Sequence, residues 1–195
     1  CPHPGAKECC SHAVDMIEEA AVKAGAPRGL IQTVRKPSVP LVNSIMHSDS
    51  ASLILATGGP GMVRAAYSSS NPAIGVGPGN VACYVHKTAD IAKAGERIVT
   101  SSSFDNSLPC TTESVVIADR EIADQLEQSM TSSGCQFIKD ADQVLRLRNF
   151  LFPEGKMNVK AIGKSAEWML TQAGIPANPG AKTLTVEIFT IGRDE

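Results

Sequence analysis

The chain has 195 residues, 43% of them hydrophobic and 19% charged, with a formal net charge of −2 and a pI near 6.1. That balance excludes a disordered chain and a basic nucleic-acid-binding surface, and the short apolar runs exclude a helical bilayer span. Six cysteines at irregular spacing, with no CxxC pair, fit reduced thiols in a cytoplasmic setting and no metal site.

In chain order, helical and strand-like patterns alternate. Pro4 and Gly5 open a helix expected from about Ala6 to Ala24, with Ala13, Ile17, Ala20, Ala21 and Ala24 on one face. Gly25 and Pro27 stop it. A short apolar element follows at Leu30 to Val34, and Ser38 is the expected N-cap of a second helix through about Met46. Leu53 to Ala56 has the apolar brevity of a buried parallel strand, and TGGPG, Thr57 to Gly61, leads from it into a helix from Met62 to Ser68. Ala73 and Ile74 precede a second glycine segment, Gly75 to Asn80, which is followed by a strand-like run from Val81 to Val85 and a helix from Ile91 to Ser101. Beyond the next loop, Glu121 to Ser132 forms an amphipathic pattern with Ile122, Leu126 and Met130 on one face. Helices are also expected over Asp140 to Leu151 and Ala166 to Ala173, and a strand over Thr183 to Ile191. The chain opens at CPHPGAK without a methionine and stops just after that last run, so it is expected to be part of a longer protein.

Three stretches carry chemistry. Ser103 to Glu113, SFDNSLPCTTE, puts Cys110 on a loop rich in turn-forming residues, where an accessible thiolate could attack a carbonyl. An unreactive thiol is the competing reading. In the first glycine segment, Gly58, Gly59 and Gly61 would let a phosphate or ribose approach bare backbone beside a helix N-terminus, although a tight turn would use the same residues. The second segment, with Gly75 and Gly77, divides equally between ligand contact and tight packing. Glu113 is expected to face solvent and is not read as a base; Phe104 could wall a pocket or join the core. His12, His47 and His86 lack ligand spacing and are expected at the surface.

LATGGPGMVRAAYSS, NPAIGVGPGN, KTADI and SFDNSLPCTTES, in this order and spacing, resemble the CoA-acylating branch of the aldehyde dehydrogenase superfamily along essentially the whole chain. The resemblance implies an α/β fold: residues 1–76 would be the C-terminal part of a Rossmann-type NAD-binding domain, and residues 77–195 the N-terminal part of an α/β catalytic domain. It implies NAD(P) as cofactor, coenzyme A as acyl acceptor, a small aldehyde as substrate, and Cys110 as a nucleophile passing through a thioacyl intermediate. Thr57, Gly58, Gly59, Gly61, Gly75 and Gly77 would contact the cofactor, and His3 and Pro4 would end the first visible strand near the adenosine ribose. The hydrolytic branch carries a glutamate near the second glycine segment; the matching stretch here, Ile74 to Gly79, has no carboxylate. Family members extend further at both ends, and the full-length protein is expected to be a homo-oligomer in the cytoplasm or a bacterial microcompartment. A hydrolytic aldehyde dehydrogenase and a non-catalytic dinucleotide-binding module are the alternatives.

Overall fold

A computed structural model describes residues 1–188 of the chain, so the expected strand residues 189–191 lie outside the described residues. The chain divides into two compact units between Pro78 and Gly79.

In the first unit, α1 (Lys7–Lys23) and α2 (Val39–Met46) precede a β-α-β arrangement of β1 (Ile54–Thr57), α3 (Pro60–Tyr67) and β2 (Ala73–Val76). The Ser38 hydroxyl accepts from Leu41 N at 3.3 Å, so α2 starts where its cap residue and following proline direct it. β1 and β2 pair in parallel, with Ile54 opposite Ala73 and Thr57 opposite Val76. Because side chains alternate across a strand, Ile54, Ala56 and Ala73 face a small core with Met46 and Ala66, while Leu55, Ile74 and Val76 are exposed on the other face. The Asn71 amide donates to Met46 O and Ser48 O at 2.8 and 2.9 Å, joining the end of α2 to the turn before β2.

Two expectations in this unit fail. Leu30–Val34 forms no regular element, and the apolar stripe of α1 is not buried: Ile17 is 53% exposed. Period alone locates such a stripe, but burial needs a facing element. Instead, polar contacts fasten α1: Arg35 donates to both Asp15 oxygens, at 2.5 and 3.2 Å, and Gly29 N donates to Glu18 at 2.7 Å.

The second unit opens with β3 (Val81–Val85), α4 (Ile91–Ser103) and β4 (Glu113–Ala118), again a parallel pair, with a register shift between Val81 and Ala82. Next come α5 (Ala123–Ser132), β5 (Cys135–Ile138), α6 (Ala141–Leu151), α7 (Ala166–Gln172) and β6 (Thr183–Val186), with β5 and β6 also parallel. The stripe expected on α5 is buried here: Ile122, Leu126 and Met130 share a core with Val85, Ile98, Val99 and Cys135. A second core gathers Ile138, Leu147, Leu170, Ala173 and Ile175. Asp90, Asp140 and Ser165 cap α4, α6 and α7 through their side chains. Strand β5 has no counterpart among the sequence expectations, because four residues are too few to show a period. Every strand pair among the described residues is parallel, as an α/β chain requires of strands joined by helices.

Candidate functional site

The loop carrying Cys110 is held at both ends. Past α4 the chain makes a 3-10 turn, Phe104–Ser107, in which Asp105, Asn106 and Ser107 have φ of 46°, 54° and 61°. For L residues each left-handed conformation costs roughly 1–2 kcal/mol, least for Asn and Asp, so three in succession need compensation. It comes from Leu108 N donating to Asp105 O at 3.2 Å, from the Ser107 hydroxyl donating to Ser102 O, and from the Asn106 amide donating to Gly163 O at 3.1 Å. Downstream, Thr112 donates twice to Pro109 O, from its N–H at 3.2 Å and its buried hydroxyl at 2.9 Å. Cys110 sits inside that closed turn, exposed, and its N–H has no acceptor among the described residues. A thiol with a free backbone donor beside it is suited to attack on a carbonyl, because the donor can hold the oxyanion that forms.

The residues flanking Cys110 border a groove of about 680 Å³ lined by Phe104, Thr111, Thr112 and Glu113, with Lys93 and Arg97 from α4. Phe104 is exposed on this groove and does not belong to the core. Glu113 departs from expectation: it begins β4, is half-buried, and its Oε2 is buried with no hydrogen-bond partner among the described residues. β4 begins one residue ahead of the apolar strand-like run that the sequence shows from Ser114 to Ala118, which turns the Glu113 side chain inward. Cys110 also differs from Cys135, which lies in the core with its sulfur 3.1 Å from Thr185 Oγ1. Burial pushes the Cys135 thiol above the ordinary cysteine range, against a smaller opposing effect of the Thr185 hydroxyl. All six cysteines are free.

In the first unit the two glycine segments meet. Thr57 ends β1 opposite Val76 at the end of β2, and Gly58 N donates to Val76 O at 3.1 Å, so both segments leave the same carboxyl edge of the sheet. That edge is where open α/β sheets take ligands. Gly59 is the N-cap of α3 and Gly61 lies in its first turn. A Cβ added at Gly59, Gly61 or Gly77 would meet nothing within 4 Å, so packing within the chain gives no reason for glycine there. The bare backbone there leaves open space along the strand ends beside the N-terminus of α3. At Gly58 a Cβ would only touch Met62, at 3.4 Å.

Gly75 has a different explanation. It is the third residue of β2, not a turn residue, and a Cβ would come within 2.6 Å of Val63 and 2.9 Å of Tyr67, whose hydroxyl accepts from Gly75 N at 3.0 Å. Close packing of α3 on β2 accounts for this glycine. His3 and Pro4 do not end a strand: His3 caps the 3-10 turn Pro4–Ala6, its Nδ1 accepting from Gly5 N at 3.1 Å, because the proline ring starts a helical turn. His12, His47 and His86 are exposed, and no group of metal-ligating side chains occurs among the described residues. No helix among them is long and apolar enough to cross a membrane.

Sequence reasoning did not find the Asn106–Gly163 contact, the Thr112 turn or the burial of Glu113. The local composition marks a loop, but partners 57 residues apart leave no local signal.

An α/β chain with a loop thiol and glycine-lined strand ends is the class these observations define. The aldehyde dehydrogenase family profile matches residues 6–138, and the chain belongs to the aldehyde dehydrogenase family. It is 38% identical over 202 residues to the aldehyde-alcohol dehydrogenase of Streptococcus pneumoniae serotype 4, which covers 99% of this chain and 23% of that protein. An acetylating aldehyde dehydrogenase from Geobacillus thermoglucosidasius superposes with a TM-score of 0.92 at 37% identity, over 99% of this chain and 42% of that one. The propionaldehyde dehydrogenase of Rhodopseudomonas palustris, solved with bound CoA and an acylated cysteine, superposes with a TM-score of 0.87 at 38% identity, over 96% of this chain and 43% of that one. The chain therefore spans less than half the length of these relatives.

Proposed function

We propose that the chain is part of a CoA-acylating aldehyde dehydrogenase, with Cys110 as its nucleophile. The observation that carries this reading is the exposed Cys110 thiol, set in a closed turn beside its own free N–H. Residues 1–76 are read as part of the NAD(P)-binding domain and residues 77–195 as part of the catalytic domain. Thr57, Gly58, Gly59, Gly61 and Gly77 would hold the dinucleotide by backbone approach. Gly75 would shape that edge through its packing on α3, and His3 and Pro4 would lie toward the adenosine ribose.

The Cys110 thiolate adds to the aldehyde carbonyl, forming a C–S bond and an oxyanion that accepts from the Cys110 N–H. NAD(P), held along Thr57 to Gly61 and at Gly77, would supply the hydride acceptor, and loss of hydride from that carbon would leave a thioester on Cys110. The CoA thiolate then displaces Cys110, giving acyl-CoA and regenerating the enzyme thiolate; all three steps can run backwards. Ile74 to Gly79 holds no carboxylate to activate water, which favours transfer to CoA over hydrolysis. Similarity to an acetylating aldehyde dehydrogenase and to a propionaldehyde dehydrogenase solved with bound CoA supports the same choice. In its full length the protein is read as a homo-oligomer acting on a small aldehyde in the cytoplasm or a bacterial microcompartment, with no part for nucleic acid or membrane.

The test is CoA-dependent NAD(P) reduction with acetaldehyde by the full-length protein and its Cys110→Ala variant. Acyl-CoA from the first and none from the second is the expected result. Free acid without CoA, or an active variant, would overturn the reading.

A further inference from the structure

We propose that Asn106 is a positioning residue for Cys110, an inference that rests on the proposed role of that thiol. The loop could reach Cys110 by many paths, yet it takes a strained one: Asp105, Asn106 and Ser107 are all left-handed, and only the middle one is tied to a distant part of the unit. The Asn106 Nδ2 donates to Gly163 O at 3.1 Å, crossing to the segment that follows the 3-10 turn Val159–Ala161. Gly163 has φ +70°, a conformation that L side chains rarely adopt, and a Cβ built there would lie 3.6 Å from the Leu108 side chain. Ser107 in turn is bonded back to Ser102 O at the end of α4.

These contacts leave the four residues from Ser107 to Cys110 little freedom, because the Thr112–Pro109 bonds close the far side. Without the Asn106 anchor the left-handed run has no long-range partner, and relaxation toward ordinary backbone would swing the thiol away from its attack position. Displacement of a reacting group by about 1 Å can lower a rate by about a hundredfold.

The test uses Asn106→Gly, Asn106→Asp and Asn106→Ala in the full-length protein. Glycine makes the left-handed turn easier and removes the anchor, so it folds most readily. Aspartate keeps shape and turn preference but sets a carboxylate against the Gly163 carbonyl. The expected result is a kcat reduced about tenfold or more in all three, KM for aldehyde and CoA within about twofold of the parent, and hydrogen exchange accelerated over residues 105–112 but not in β4. A parental kcat in Asn106→Gly, or unchanged exchange over 105–112, overturns the proposal, as does a loss of kcat matched by global unfolding in every variant. If the parent protein makes no acyl-CoA, the functional reading fails instead, and the exchange experiment still decides whether Asn106 holds the loop.

Discussion

Asp119, just after β4, accepts from the Tyr84 hydroxyl at 2.7 Å and from Lys87 N at 2.7 Å, with His86 3.9 Å away. The Tyr84 hydrogen bond, with the Lys87 N–H, holds the Asp119 carboxyl below the ordinary aspartate range, and the same bond holds Tyr84 above the ordinary tyrosine range. For an acid whose folded pKa is depressed, stability is present above the unfolded value, about 3.9, and is lost as pH falls through the lower folded value. The tyrosine's share is present below about pH 10 and is lost as pH rises through its higher folded value. Tyr84→Phe is therefore expected to lower Tm by a few degrees at pH 7. The gap should close in acid as Asp119 is protonated, which thermal melts across pH will check. Glu113 gives a prediction of opposite sign. Its buried Oε2 lacks a donor, so Glu113→Met, which replaces the unpartnered oxygen by an apolar group of similar length, is expected to raise the stability of this chain by about 1 kcal/mol in urea unfolding.

Helices and strands show where packing limits substitution. Leu170 is completely buried in the α6–α7 core, and truncation to alanine deletes contacts that the surroundings cannot recover. Leu170→Ala should lower the unfolding free energy by about 2–5 kcal/mol. Gly75→Ala should be destabilising for the reverse reason: the new methyl meets Val63 and Tyr67 and pushes α3 from β2, at about 1–3 kcal/mol. Denaturant titration of both variants tests whether the β1–α3–β2 arrangement is as closely packed as the second core. The starts of α2, α4 and α6 were legible, and a cap residue stands at each. Ser38, Asp90 and Asp140 each accept from a backbone N–H three residues on, as their side-chain chemistry dictates.

Taken one unit at a time, the molecule leaves apolar sheet surface uncovered. Leu55 is 73% exposed on the face opposite α3, beside Ile74 and Val76, and Tyr84 and Ile117 are exposed on the β3–β4 pair. Parallel sheets are stable chiefly when both faces are covered, and two-stranded sheets are marginal alone. The 195-residue chain by itself is therefore expected to bind an apolar-surface dye strongly, and Leu55→Thr with Val76→Thr should reduce that fluorescence. The longer protein should bind less dye per molecule than this chain. Equal binding would mean that the faces stay bare.

From the order of residues alone came the alternation of helix and strand, the Ser38 cap of α2, the stripe of α5, the starts of α4 and α6, the loop position of Cys110, and the glycine segments at the strand ends. Each rests on local rules: a side-chain period, a capping oxygen, or a residue without Cβ. Tertiary structure decided what depends on partners distant in the chain. It left the stripe of α1 exposed and gave Leu30–Val34 neither helix nor strand. It also separated Gly75, which packing explains, from Gly59, Gly61 and Gly77, which packing does not. The left-handed path to Cys110 was beyond sequence reading because its anchor, Asn106 on Gly163, joins residues whose proximity only the folded unit creates.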